Sequence, residues 1–206
     1  WHFYDPFDPE DGQLIDQIMA HYEKLVNALK EQNHERSAFE ASWLAHAIVD
    51  GLTPAHHFPY EEELEKLRGE GKETRDTIFK KVVIPGTSAL DVFAKNWEMW
   101  GVKGLFTTHA LFEMGAAMIM APMTYRIAEP NKYEIKKVQQ IGLIEFFKRT
   151  AREVALLNMY DDFYKRGWTP KLAKTVRLDL APKMAKSVTL AWFMAAKEAK
   201  ITTAEI

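Results

Sequence analysis

Residues 43–51 read Trp43-Leu44-Ala45-His46-Ala47-Ile48-Val49-Asp50-Gly51. Between Trp43 and Val49 the one polar side chain is His46, so a helix here has no polar face and is expected to be buried. Asp50 lies one turn beyond His46 on the same face. A carboxylate in the last turn of a buried helix meets the negative end of the macrodipole and little water. Both oppose its charge, so a cation or several donors must stand beside it. A metal ion shared with His46 meets that need; so does a hydrogen-bonded core pair.

The same pattern recurs later. The run from Leu105 to Ala121 holds a single carboxylate, Glu113, and His109 stands one turn before it. A His at i and an acid at i+4 can aim their donor atoms at one ion. The run is 17 residues long and carries both groups, too short and too interrupted for a membrane span. The loop after Gly51 supplies His56 and His57, with Pro54 limiting its freedom. His2, His34 and His57 read as solvated or structural, and Met114, Met118 and Met120 as core packing.

Working outward, Leu14, Ile18, Tyr22, Leu25 and Leu29 recur at helical spacing after Gly12, and His21 shares their face. The segment Asp5 to Asp11 reads as an extended lead-in. The second helix is expected from Arg36 to Asp50, with Gly51 as a left-handed terminator. Leu52 to Tyr60 reads as a loop and Glu61 to Val82 as two short surface helices. Ser88 caps a helix to Trp100, and the apolar helix from Leu105 stops at Pro122. Asn131 to Arg166 reads as one long helix ending at Gly167. Thr169-Pro170 opens the last helical region, with a break or kink at Pro182. No stretch alternates as a strand, so the class is all-α, a compact helical bundle.

The 206 residues fit a single domain. With 27 basic and 29 acidic residues the net charge is −2, which gives no electrostatic case for a stable nucleic-acid complex. No cysteine is present, so disulfides and thiolate metal sites are excluded. The chain starts at Trp1 without an initiator Met, the expectation for a cleaved or trimmed chain, and a soluble protein is expected.

His46-x3-Asp50-x3-Pro54-x-His56, followed by His109-x3-Glu113, resembles the zinc-binding signature of zinc-dependent phospholipase C and the related secreted single-strand nucleases. Mature chains of that family begin with Trp, whose amine and carbonyl bind a third zinc, and this chain begins with Trp1. The resemblance implies a helical scaffold holding one to three zinc ions. Its ligands would be Trp1, His21, His46, Asp50, His56, His109 and Glu113. Asp50 would bridge two metals and act catalytically as a proton acceptor. It implies hydrolysis of phosphate esters, phospholipid first and single-stranded nucleic acid second, in an extracytoplasmic or secreted setting. The chain departs from the family in having no obvious Asp and His pair before His46. It also has 52 residues between His56 and His109, so residues 58–108 read as an insertion. The missing pair keeps a second reading open, a non-catalytic metal-binding protein acting as a structural or interaction component. A third reading comes from nine Lys or Arg against three acids beyond Phe163, interleaved with Leu178, Leu180, Met184, Val188, Trp192 and Phe193. Such a face suits an anionic membrane surface or a partner, and a solvated face is its more common explanation.

Overall fold

The computed structural model describes residues 2–123 and 130–201. All regular structure among them is helical: α1 (Gln13–Lys30), α2 (His34–Gly51), α3 (Tyr60–Arg68), α4 (Ile78–Val82), α5 (Ala89–Trp100), α6 (Leu105–Met120), α7 (Lys132–Ile141), α8 (Leu143–Ala155), α9 (Met159–Arg166), α10 (Pro170–Thr175) and α11 (Ala181–Glu198). A turn of 3-10 helix at Pro54–His57 carries the chain from α2 towards α3.

The centre of the bundle is α1 packed along α2, with α11 against both and α8 closing one side. Leu14, Ile18 and Leu25 of α1 meet Leu44 and Ile48 of α2 and Phe147 of α8 in one apolar core. A polar tie joins the first two helices. Glu40 of α2 is fully buried, with His21 Nδ1 at 2.5 Å from one carboxylate oxygen and the Arg36 guanidinium ion-paired to the other.

Gly51 does not stop α2 by adopting a left-handed conformation; the glycines with positive φ are Gly69, Gly142 and Gly167. A β-carbon on Gly51 would lie 2.5 Å from Phe147 Cζ and 2.7 Å from Leu14 Cδ2. Glycine is required there by close approach of three helices, and the turn follows from Leu52 onwards.

The helix read over Asn131 to Arg166 is three helices. Gly142, at φ +84°, separates α7 from α8. Residues 156–158, with Asn158 at φ +50°, separate α8 from α9. Asn tolerates the left-handed region well enough to allow this without glycine. Pro182 lies just after a π-helical turn, Val176–Leu180, and the wider turn there accommodates its ring and missing N–H. Helical backbone therefore runs unbroken from Pro170 to Glu198.

Neither apolar helix is buried on all sides. On α2, Trp43 and His46 are exposed; the indole stacks on the His21 ring and lies edge-on to His46. On α6 the buried positions are Thr108, Phe112 and Ala116, a single stripe at four-residue spacing that docks beside Tyr160, Phe163 and Trp168. Met114 and Met118 face outwards rather than into the core. Hydrophobicity alone cannot say how wide a stripe finds partners.

Residues 60–100 carry α3, α4 and α5 around a small separate core of Tyr60, Leu64, Ile84 and Met99, which Phe3, Phe58 and Leu105 join to the bundle. Exposed Phe79, Phe93, Trp97 and Trp100 lie on its outside. The basic C-terminal region is tied to its neighbours. Lys186 pairs with Glu134 at 2.6 Å and Lys183 with Glu153, while Leu180, Met184 and Val188 belong to the core. Leu178, Trp192 and Phe193 of this region remain exposed. No helix of the described residues is long and apolar enough to cross a membrane.

Candidate metal centre

The end of α2, the 3-10 turn and the first half of α6 meet at one place, and the first residues of the chain close over it. The lead-in is not loose. Tyr4 is buried against Phe147, its N–H donates to the His56 carbonyl at 3.0 Å, and Arg152 Nε donates to the Pro6 carbonyl at 2.8 Å. These ties fix residues 2–6 across the bundle and bring His2 to the end of α2.

Two groups of three donors result. His2, His46 and Asp50 form one; His56, His109 and Glu113 form the other. In each, one donor atom per residue lies within 4.8 Å of the others. The first group is open to solvent. Asp50 Oδ2 is ion-paired with His2 Nδ1 and lies 3.2 Å from His46 Nε2, and the His46 ring is half exposed. The second group is deeper, with both histidines largely buried and Glu113 partly so. Glu113 Oε1 lies 2.7 Å from His56 Nε2 and 3.2 Å from His109 Nε2. The imidazoles beside it, His109 first and then His56, hold the Glu113 carboxyl far below the usual range despite burial.

His56 joins the two groups. Its Nδ1 donates to the Asp50 main-chain carbonyl at 3.1 Å and lies 3.7 Å from Asp50 Oδ1. Its ring stacks on His109 with centroids 5.2 Å apart. Phe3 packs against both rings and stacks on Tyr60, walling off the second group on that side. Tyr60 is buried, which raises its phenol to about 12, so it faces the site as a neutral ring.

The donor chemistry fits a cation at the second group. With Nδ1 donating to a carbonyl, a neutral His56 turns an Nε2 lone pair towards Glu113, which is also an acceptor. Two acceptors at 2.7 Å repel unless a proton or a cation stands between them. His109 Nδ1 is buried with no hydrogen-bond partner, so the ring's one polar engagement is through Nε2, on the ion side. The Nδ1 bond from His56 to a carbonyl is the outer hydrogen bond that orients a metal-binding imidazole. Two imidazoles and a carboxylate, without thiolate, suit a divalent metal ion in a site of three protein ligands with a position left open.

The structure brings His46 beside Asp50, and His56 beside His109 and Glu113. His21 joins neither group: it lies against Glu40, where α1 and α2 need a partner for a buried carboxylate. Trp1 lies outside the described residues. His2 takes a place in the open group that its sequence context did not mark. Its one signal is position, since it falls two residues before the tyrosine that anchors the lead-in. His57 is a structural histidine, donating from Nε2 to the Gly51 carbonyl at 3.0 Å. Burial pushes its pKa down to about 4, so it is neutral near pH 7. A cavity of about 580 Å³ between Phe58, Leu67, Leu105 and Tyr160 contains none of the donor residues. A cavity of about 360 Å³ does touch the open group, at His2.

No protein-family model, curated protein or solved structure matches this chain.

Proposed function

We propose that this protein is a zinc-dependent hydrolase of phosphate esters, with phospholipid as its substrate class. One observation carries the reading. Two three-donor groups stand side by side, one buried and one open, and His56 and Asp50 couple them. His56, His109 and Glu113 would hold one zinc, and His2, His46 and Asp50 a second. Zinc, when bound, polarises a phosphoryl oxygen and lowers the pKa of a nearby water.

The side chains supply the rest. The half-exposed His46 leaves the open group accessible to a phosphodiester, whereas the Phe3 ring shields the inner one. Asp50 Oδ2 is engaged by His2 and His46, which leaves Oδ1 to accept a proton from the attacking water. Water then adds at phosphorus, the bond to the leaving alcohol breaks, and the proton passes to the departing oxygen. Exposed Phe79, Phe93 and Trp97 near the α3–α5 region, with a net charge of −2, favour a lipid over a polyanionic nucleic acid.

The second reading, a metal-binding or metal-free structural protein, draws on the same pairs: His2 with Asp50 and His56 with Glu113 can close as ion pairs with protonated histidines. Asp50→Asn separates the two. In an enzyme it abolishes hydrolysis of a short-chain phospholipid in zinc and leaves the inner zinc bound. A parent protein with no hydrolysis, together with an Asp50→Asn variant that melts at an equal or higher temperature, establishes the structural reading instead.

A further inference from the structure

The cavity that touches the open donor group has cationic walls. About 360 Å³ in volume, it is lined by His2, Phe3, Glu61, Lys72, Arg75 and Lys81. Apart from His2 and Phe3, these belong to residues 60–82, the segment between the two metal-binding motifs. Lys72, Arg75 and Lys81 line it together with one carboxylate, Glu61.

Arg75 is the informative residue. Its side chain is nine-tenths buried, a costly place for a guanidinium. One terminal nitrogen pairs with Glu61 Oε2 at 2.6 Å, but Nε is buried without any hydrogen-bond partner. A guanidinium has five N–H donors in a fixed fork and binds carboxylate or phosphate in pairs. Nε–H is unpartnered, so the guanidinium keeps donor capacity that Glu61 does not use. Lys81 supplies a further charge from the turn of α4 and makes no ion pair among the described residues. The protein as a whole is slightly acidic, so this concentration of positive charge is local rather than a reflection of composition.

We infer that the cavity formed by Arg75, Lys81 and Lys72 beside His2 binds a second anionic group of the substrate, a phosphate or carboxylate on the headgroup. This rests on the phosphodiesterase reading for what the substrate is, but the anion site itself does not depend on metal. The cavity adjoins the open donor group, so one headgroup can place its phosphodiester at His46 and Asp50 and its second charge against Arg75. Selection then runs towards anionic headgroups and against choline, whose quaternary ammonium would face Arg75 and Lys81.

The test has two arms. In the first, inorganic phosphate is titrated calorimetrically into chelator-treated protein, parent and variants Lys81→Gln, Arg75→Gln and Arg75→Lys, each checked for an unchanged circular dichroism spectrum. Lys81→Gln should weaken binding about three- to tenfold and Arg75→Gln more, and Arg75→Lys should recover only part because it restores charge without the fork. If Arg75→Gln does not fold, Lys81→Gln decides alone. No binding in the parent, or equal affinity in parent and folded variants, overturns the inference.

The second arm compares kcat/KM in zinc for short-chain phosphatidylglycerol phosphate, phosphatidylglycerol and phosphatidylcholine. Beyond the shared phosphodiester, the first carries a second anion, the second carries no further charge and the third carries a cation. The rates should fall in that order, and the ratio of first to last should fall in Lys81→Gln. Hydrolysis with no such order, and no loss of order in the variant, overturns the anion site and leaves the phosphodiesterase reading standing. Hydrolysis of none of the three, with phosphate binding still sensitive to Lys81, rejects the phosphodiesterase reading and retains the anion site.

Discussion

Replacing Gly51 with Ala should unfold the protein several degrees earlier, although Ala is the better helix former. Gly51 is the last residue of α2, next to Asp50, and its added β-carbon would stand 2.5 Å from Phe147 Cζ, 2.7 Å from Leu14 Cδ2 and 3.1 Å from Phe147 Cε2. All three neighbours are ends of fully buried side chains in a close-packed core, so none can swing into solvent. Overpacking of this kind costs about 1–3 kcal/mol. The gain in helix propensity is at most about 0.5–1 kcal/mol, and smaller in a last turn. The net is a loss of about 1–2 kcal/mol, or roughly 3–6 °C in thermal midpoint for a chain of this size. Differential scanning calorimetry of zinc-free protein measures it without interference from the metal. A partner substitution identifies the cause: Phe147→Leu removes the ring atoms that clash, so the Gly51→Ala penalty should shrink by at least about 1 kcal/mol in that background. A Gly51→Ala protein as stable as the parent, or a penalty unchanged by Phe147→Leu, refutes the close-approach argument.

Metal content comes next: the parent should retain at least about one zinc per chain after equilibration and desalting, and His109→Ala or Glu113→Ala should lose the inner ion. Inductively coupled plasma mass spectrometry checks this, and occupancy below about 0.2 in the parent rejects the centre. Stability of the zinc-free protein should fall as pH drops from about 6.5 towards 4. His57 is held near 4 by burial, the unfolded chain takes up its proton first, and up to about 3 kcal/mol is lost before the dependence levels off below pH 4. His57→Gln should flatten that part of the urea-midpoint profile relative to the parent. His21→Leu alone strands buried Glu40 with only the half-exposed Arg36 and should cost about 2–4 kcal/mol by chemical denaturation. His21→Leu combined with Glu40→Met removes the stranded charge, and most of the loss should return.

The elements legible in the sequence were those whose signals are local. Ser88 does accept from Asp91 N–H, Thr169 does accept from Leu172 N–H ahead of Pro170, and α6 does stop short of Pro122. The i, i+4 spacings of His46 with Asp50 and His109 with Glu113 carried over directly, because helical geometry alone fixes them. What failed to show depended on contacts distant in the chain. Gly51 owes its identity to Phe147, ninety-six positions away, and so looked like an ordinary terminator. The break at 156–158 has no glycine or proline to announce it. Glu40 sits in a polar-looking stretch and is wholly buried because His21 and Arg36 satisfy it. His2 reaches the open group through anchors at Tyr4 and Pro6, which no spacing rule encodes.

One imidazole takes part in both halves of the centre, and this ties their chemistry together. Once Nε2 of His56 ligates an ion beside Glu113, the single remaining ring proton must reside on Nδ1. There it is held by the Asp50 carbonyl, with Asp50 Oδ1 close by. Filling the inner position thus abolishes the ring's choice of tautomer and freezes the end of α2 that carries Asp50. Order gained by one ligand need not be supplied by the next, and linkage makes the effect reciprocal. On the proposed two-zinc reading, the ions should therefore load in sequence and with positive cooperativity, the buried position first.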